Sequence, residues 1–137
     1  MFEGKPGVLV IDDLMSTCSD DQQMADLVTK HSHHLGISVL HLVQTLFPPG
    51  KFSRTISLNC HYIFAFKNCR DSLGISNLFQ QVFSGNDRKY ALESYENATE
   101  KVYGYLLLDL HPTTPNEFRL RTNIFPGERH ISYVKRG

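Results

Sequence analysis

Apolar positions along the chain fall into short runs separated by polar punctuation. Val8-Leu9-Val10-Ile11 is the first run, flanked by Gly7 and closing on Asp12-Asp13. A continuous apolar run of this length predicts a strand buried on both faces. Leu14 to Asp21 is polar, with Ser16, Thr17, Ser19 and Asp20 as candidate helix caps. Gln22 to Leu35 predicts a helix, with Met24, Leu27, Val28 and His31 forming its apolar stripe and Gly36 as its C-cap. Ile37 to Val43 predicts a second strand, closing at Gln44-Thr45. Strand, helix and strand at this spacing form a βαβ unit, a right-handed crossover in a parallel sheet.

Phe47-Pro48-Pro49-Gly50 is a loop, Ser53 to Leu58 a short helix, and His61 to Phe66 a third strand. Two helices follow, Ser72 to Phe83 capped by Asp71 and about Arg88 to Thr99, with Ser84-Gly85-Asn86-Asp87 as the break. Tyr103 to Leu110 is a fourth strand. His111-Pro112-Thr113-Thr114-Pro115 is a turn, and Phe118 to Ile124 alternates as an antiparallel edge strand does. Gly127 to Gly137 is polar and basic and is expected to be a flexible tail, leaving 1–126 as the folded domain.

Composition narrows the classes. The chain has 137 residues and is 41% hydrophobic, enough for one domain with a real core and too apolar for a disordered chain. Its 14 basic and 14 acidic residues cancel, so a nucleic-acid partner needs a local basic face. Lys67, Arg70, Arg88, Lys89, Arg119, Arg121, Arg129, Lys135 and Arg136 could supply one. Three cysteines (Cys18, Cys60, Cys69) without C-x-x-C spacing, no signal peptide and no membrane-length apolar run point to an intracellular protein, nuclear or cytoplasmic, with no membrane partner.

The acidic strand end is the main chemical signal. Open α/β sheets place ligands at the carboxyl ends of their strands. In P-loop NTPases an apolar strand ending in Asp is the Walker B element, which helps hold Mg²⁺. The matching Walker A loop, G-x-x-x-x-G-K-[ST], is missing. The nearest candidate, Pro48-Pro49-Gly50-Lys51-Phe52-Ser53, has Thr45 where the first Gly belongs and Phe52 where Ser or Thr is needed, and it follows the acidic strand.

Four segments in order, His33-His34-Leu35-Gly36-Ile37-Ser38-Val39, Ser53-Arg54-Thr55-Ile56-Ser57-Leu58-Asn59, Phe66-Lys67-Asn68 and Tyr103-Gly104-Tyr105-Leu106-Leu107-Leu108-Asp109, join Asp12-Asp13 in one series. That series resembles the second half of the FtsK–HerA type of DNA-packaging ATPase, found in large DNA viruses, adenovirus-like viruses and Polinton (Maverick) transposons. The resemblance runs from about Gly7 to about Pro126. It implies a partial P-loop NTPase of the RecA-like (ASCE) class, an α/β three-layer sandwich with a mostly parallel sheet that lacks its first βα unit.

It also implies roles. Asp12 takes the Mg²⁺ side of Walker B, and Asp13 is the acid that polarises the attacking water. Gln44 senses the γ-phosphate, and Arg54 reaches a neighbouring subunit's nucleotide. ATP and Mg²⁺ are the implied cofactors, double-stranded DNA the implied partner, and a ring homo-oligomer the implied assembly, all in the complete enzyme. Without the phosphate loop the chain alone is expected to be inactive. Because the Walker A strand lies between the strand ending at Gln44 and the strand at Tyr62, its loss should either close the sheet or expose two edges.

Each signal has a plainer reading. Asp12-Asp13 can be solvated acids at a turn, Gln44 a cap, and Arg54 a surface ion-pair partner. His31 and His34 are spaced i, i+3 rather than the i, i+4 of a zinc helix, and a helix C-terminus favours such rings anyway. The cysteines read as incidental thiols, since acids beside Cys18 disfavour its thiolate. Asn97-Ala98-Thr99 matches a glycosylation sequon only formally. Phe64, Phe66, Tyr103 and Tyr105 read as packing rather than base-stacking platforms. Asp109 is a further polar strand end with no assigned role. Two alternatives stand beside the ATPase reading. One is a non-enzymatic remnant of a mobile element. The other is a flavodoxin-like Mg²⁺-binding domain with Lys67 at a later strand end.

Overall fold

The structure is a computed structural model that describes residues 5–12 and 21–137. Asp13, Cys18 and the candidate caps Ser16, Thr17, Ser19 and Asp20 lie outside the described residues. The chain divides into two compact units, 1–59 and 60–137.

In the first unit, β1 (Gly7–Asp12) and β2 (Ile37–Leu42) pair in parallel, with Gly7 opposite Ile37 and Asp12 opposite Leu42. Between them run α1 (Gln22–Asp26), a π-helical turn (Leu27–His31) and α2 (Ser32–Leu35). The expected helix is thus one helical segment, widened at its centre where Ser32 N–H reaches back to the Leu27 carbonyl. Thr29 and Ser32 hydroxyls bond the carbonyls of Ala25 and Val28 one turn earlier, competition that loosens a helix. The N-cap is Asp21, whose carboxylate accepts from Gln23 N–H at 2.8 Å. Gly36 ends α2 at φ 62°, the left-handed C-cap expected of it.

Burial corrects one expectation. β1 is not covered on both faces: Ile11 is 6% exposed, whereas Val8 and Val10 are 64% and 54% exposed. The same face of β2 carries exposed Leu40 and Leu42. After β2, α3 (Ser53–Leu58) is anchored by buried Ile56 and by Ser57, whose hydroxyl donates to the Leu46 carbonyl.

In the second unit, β3 (Tyr62–Phe66), β4 (Tyr105–Asp109), β5 (Leu120–Thr122) and β6 (Ile131–Ser132) form one sheet in that order, every pair antiparallel. Helices α4 (Ser72–Val82) and α5 (Asn86–Ala98) fill the β3–β4 connection. Their buried residues Ile75, Leu78, Phe79 and Ala91 form the core with Ala65, Leu106, Leu108 and Leu120, which register places on one face of the sheet. Tyr95 ties α5 to the end of β3, donating to the Phe66 carbonyl and accepting from Asn68 N–H.

The protein is therefore mixed α/β, with a small parallel sheet and a separate antiparallel one. This differs from the mostly parallel sheet expected. For β4 and β5 the physical reason is chain length: the connection from Asp109 to Leu120 is shorter than the dozen or more residues that a parallel crossover needs. The segment from Gly127, expected to be a tail, contains β6 and is held to α5. Tyr90 donates to the Tyr133 carbonyl, and Tyr133 to the Asn97 side chain at 2.7 Å.

Among the described residues no helix is long and apolar enough to cross a membrane.

Candidate functional site

Parallel pairing sets the geometry of the acidic strand end. β1 and β2 run in the same direction, so Asp12 and Leu42 finish at the same end of the sheet. Asp12 is the exposed terminal residue of β1. Gln44 follows β2 by two residues and is exposed at that same end. Along both strands Leu9, Ile11, Val39 and His41 turn towards the covered face, while Val8, Val10, Leu40 and Leu42 are exposed.

Arg54 lies in the first turn of α3, exposed, on the opposite side of that helix from buried Ile56. Asp12 and Gln44 are thus brought to one sheet edge in the same unit as Arg54, while Asp13 falls outside the described residues. Among the described residues, no three His, Cys, Asp or Glu side chains converge as a metal-holding group.

Beneath this edge lies a group that the sequence did not single out. His41 faces the covered side of the sheet opposite Ile11, and its buried Nε2 has no hydrogen-bond partner. Burial pushes its pKa below the ordinary imidazole value. Its place between Leu40 and Leu42 in an alternating strand was the available signal.

The second unit holds its own polar centre. Asp109, the last residue of β4, is 4% exposed. Its carboxylate accepts from Arg121 Nη2 at 2.6 Å, from the Thr114 hydroxyl at 2.9 Å and from His111 N–H at 3.1 Å. Arg119 donates to its main-chain carbonyl. This arrangement closes the β4–β5 turn and gives Asp109 a structural role. Every carboxylate oxygen is engaged within the hairpin, as a buried acid requires.

The remaining candidates are placed as follows. Cys60 is partly buried, and burial raises its thiol pKa, which opposes nucleophilic use; Cys69 is exposed. His31, His33 and His34 lie exposed around the end of the first helical segment. The sequon spans the end of α5: Asn97 accepts from Tyr133, and Thr99, the C-cap, is buried and donates to the Tyr95 carbonyl. Among the aromatics, Tyr105 is buried as expected, but Phe64 and Phe66 are 38% and 55% exposed and Tyr103 is 91% exposed.

Compared with protein-family models, with curated proteins and with solved structures, the chain gives no match.

Proposed function

We propose that this chain is the Walker B-bearing part of a P-loop ATPase of the RecA-like type that, in complete form, couples ATP hydrolysis to movement or packaging of double-stranded DNA. The observation that carries the reading is the shared carboxyl end of β1 and β2. It sets Asp12 at the end of β1 and Gln44 two residues beyond the end of the adjacent parallel β2, which suits a magnesium-side acid and a γ-phosphate sensor. Asp12 fits Mg²⁺ as one exposed oxygen donor, since that ion takes one or two carboxylates and completes its shell with water and phosphate. Mg²⁺ when bound would neutralise developing phosphate charge. Asp12 would orient it, Asp13 would polarise the attacking water, and Gln44 would hold the transferred group's oxygens.

A second feature supports incompleteness. The first sheet has two strands, so among the described residues β2 has one unpaired edge. A strand added at that edge would satisfy a row of backbone donors and acceptors otherwise left to water. A two-stranded sheet is marginal by itself, which fits a piece that awaits a partner segment. The chain alone is inactive in this reading, because its sequence lacks the G-x-x-x-x-G-K-[ST] loop that cradles the β- and γ-phosphates. The antiparallel pairing of β3 with β4 lies within the span of the resemblance and fits the mostly parallel sheet of the RecA-like class poorly. A non-enzymatic remnant keeps the same fold without the missing segment. The flavodoxin-like alternative needs a nearly complete parallel sheet reaching Lys67, and the antiparallel pairing of β3 with β4 among the described residues counts against it as it does against the RecA-like sheet.

The test is to sequence the genomic DNA and transcript upstream of Met1 for G-x-x-x-x-G-K-[ST] in frame, then to assay Mg²⁺-ATP hydrolysis of the joined product. A motif there, with hydrolysis abolished by Asp12→Asn, supports the proposal. Its absence over several hundred bases, or a joined product indifferent to that substitution, sinks it.

A further inference from the structure

Two histidine rings meet beside the polar centre of the second unit, at the end of the sheet where β3 begins and β4 finishes. His61 stands one residue before β3, and His111 two residues after β4. Their ring centres are 5.4 Å apart, and their planes are tilted by 45°. The backbone holds both in place. Leu110 N–H donates to the His61 carbonyl at 2.8 Å, which continues the β3–β4 ladder. His111 N–H donates to the buried Asp109 carboxylate at 3.1 Å. Residues far apart in sequence are thus brought together by the fold and anchored through their main chain.

The ring of His111 is also oriented. Its Nδ1 lies 2.8 Å from the Thr113 hydroxyl and 3.3 Å from Thr113 N–H. When Nδ1 carries the proton and donates to the hydroxyl, Nε2 is unprotonated and presents its lone pair. That is how histidine ligates a metal, one nitrogen on the ion and the other held by an oxygen. Metal binding selects this tautomer over the one that accepts from Thr113 N–H. The spacing of the rings suits a shared ion. Two imidazole nitrogens at about 2.0–2.1 Å from one tetrahedral Zn²⁺ hold their ring centres about 5 Å apart, with rings that radiate rather than stack. His61 is exposed and His111 partly so, which leaves an ion a path from solvent.

We propose that His61 and His111 chelate a divalent transition-metal ion of the zinc and copper class, with water completing its coordination. Imidazole suits these ions, whereas Mg²⁺ and Ca²⁺ take oxygen donors. No third His, Cys, Asp or Glu joins the pair among the described residues, so the site is open and exchangeable rather than a closed four-ligand cage. It lies wholly within the second unit and is independent of the nucleotide reading of the first. Because the two ligands converge only in the folded chain, bound metal also stabilises that unit.

The test is isothermal titration calorimetry of the full chain with Zn²⁺, joined to NMR of its histidine rings. The expected result is saturable Zn²⁺ binding and a raised melting temperature. His61→Gln and His111→Gln should each weaken binding by about tenfold or more, and the double substitution should weaken it little further, because either loss breaks the same chelate. Thr113→Val, which removes the hydroxyl that orients His111, should weaken it by roughly tenfold. His31→Gln, at an exposed ring of the first unit, should leave it as it was. In the unsubstituted protein Zn²⁺ should shift the ring signals of His61 and His111 together while Mg²⁺ leaves them in place, a readout that needs no variant to fold. Absence of that joint shift, full Zn²⁺ affinity in either single variant, or losses that multiply in the double variant would overturn the proposal.

Discussion

Arg121 reaches across from β5 to Asp109 at the end of β4, 2.6 Å from guanidinium to carboxylate, and Asp109 is almost wholly shielded from water. Breaking such a pair from one side leaves an unbalanced buried charge, typically at a cost of about 3–5 kcal/mol. Arg121→Met should therefore lower the stability of the second unit by about 3 kcal/mol in urea denaturation. Asp109→Asn should cost less, since the amide oxygen can still accept from Thr114 and Arg121 keeps partial contact with solvent. Equal, near-zero costs for both would show that the pair is solvated.

Acid should weaken the first unit through His41. The imidazole's folded pKa is depressed by burial, so the unfolded chain binds the proton more readily. Stability is then fully present above the unfolded pKa of about 6.5 and is lost as pH falls below it, until the folded pKa is reached. His41→Leu should remove this slope and, by eliminating the unpaired Nε2, raise stability by about 1 kcal/mol. Thermal melts between pH 5 and 8 on both proteins decide it, and a slope that survives the substitution would assign it elsewhere.

Gly36 should resist replacement. Its φ of 62° lies in the left-handed region, although a Cβ there would meet no neighbour. The cost of Gly36→Ala is accordingly backbone strain, about 1 kcal/mol, and Gly36→Asn should recover part of it. Gly104 is the contrasting case. Its conformation is ordinary, but an added Cβ would strike the carbonyls of Ala98 and Lys101, so Gly104→Ala should cost more than Gly36→Ala in denaturant melts.

Removing residues 130–137 should destabilise the second unit rather than merely shorten it. Deletion strips β6 from the edge of β5 and takes away the bonds of Tyr133 to Tyr90 and Asn97. The truncated protein should be cleaved faster by protease within α5, and Tyr133→Phe alone should reproduce part of the effect. Unchanged cleavage would mean that this segment adds nothing to stability.

Local signals carried most of the element boundaries. The β-branched run at Val8–Ile11, the Gly36 stop and the Tyr105–Leu108 run each depend on neighbours within a few residues, and the structure has strands and a helix end there. The parallel βαβ pairing was also legible, because chain length between strands limits how they can pair. Asp12 is the strand-end residue expected, whereas Gln44, expected to close the second strand, lies two residues beyond β2. Which faces are covered depends on partners distant in sequence, and that only the tertiary structure decided. Val8 and Val10 have the composition of a doubly buried strand yet stand exposed, and Phe66 looks like core yet faces outward. The same holds for the Asp109–Arg121 pair, the unpaired His41 nitrogen and the docked C-terminal segment. Each arises from contacts whose sequence separation no periodicity encodes, because burial belongs to the folded arrangement and not to the residue.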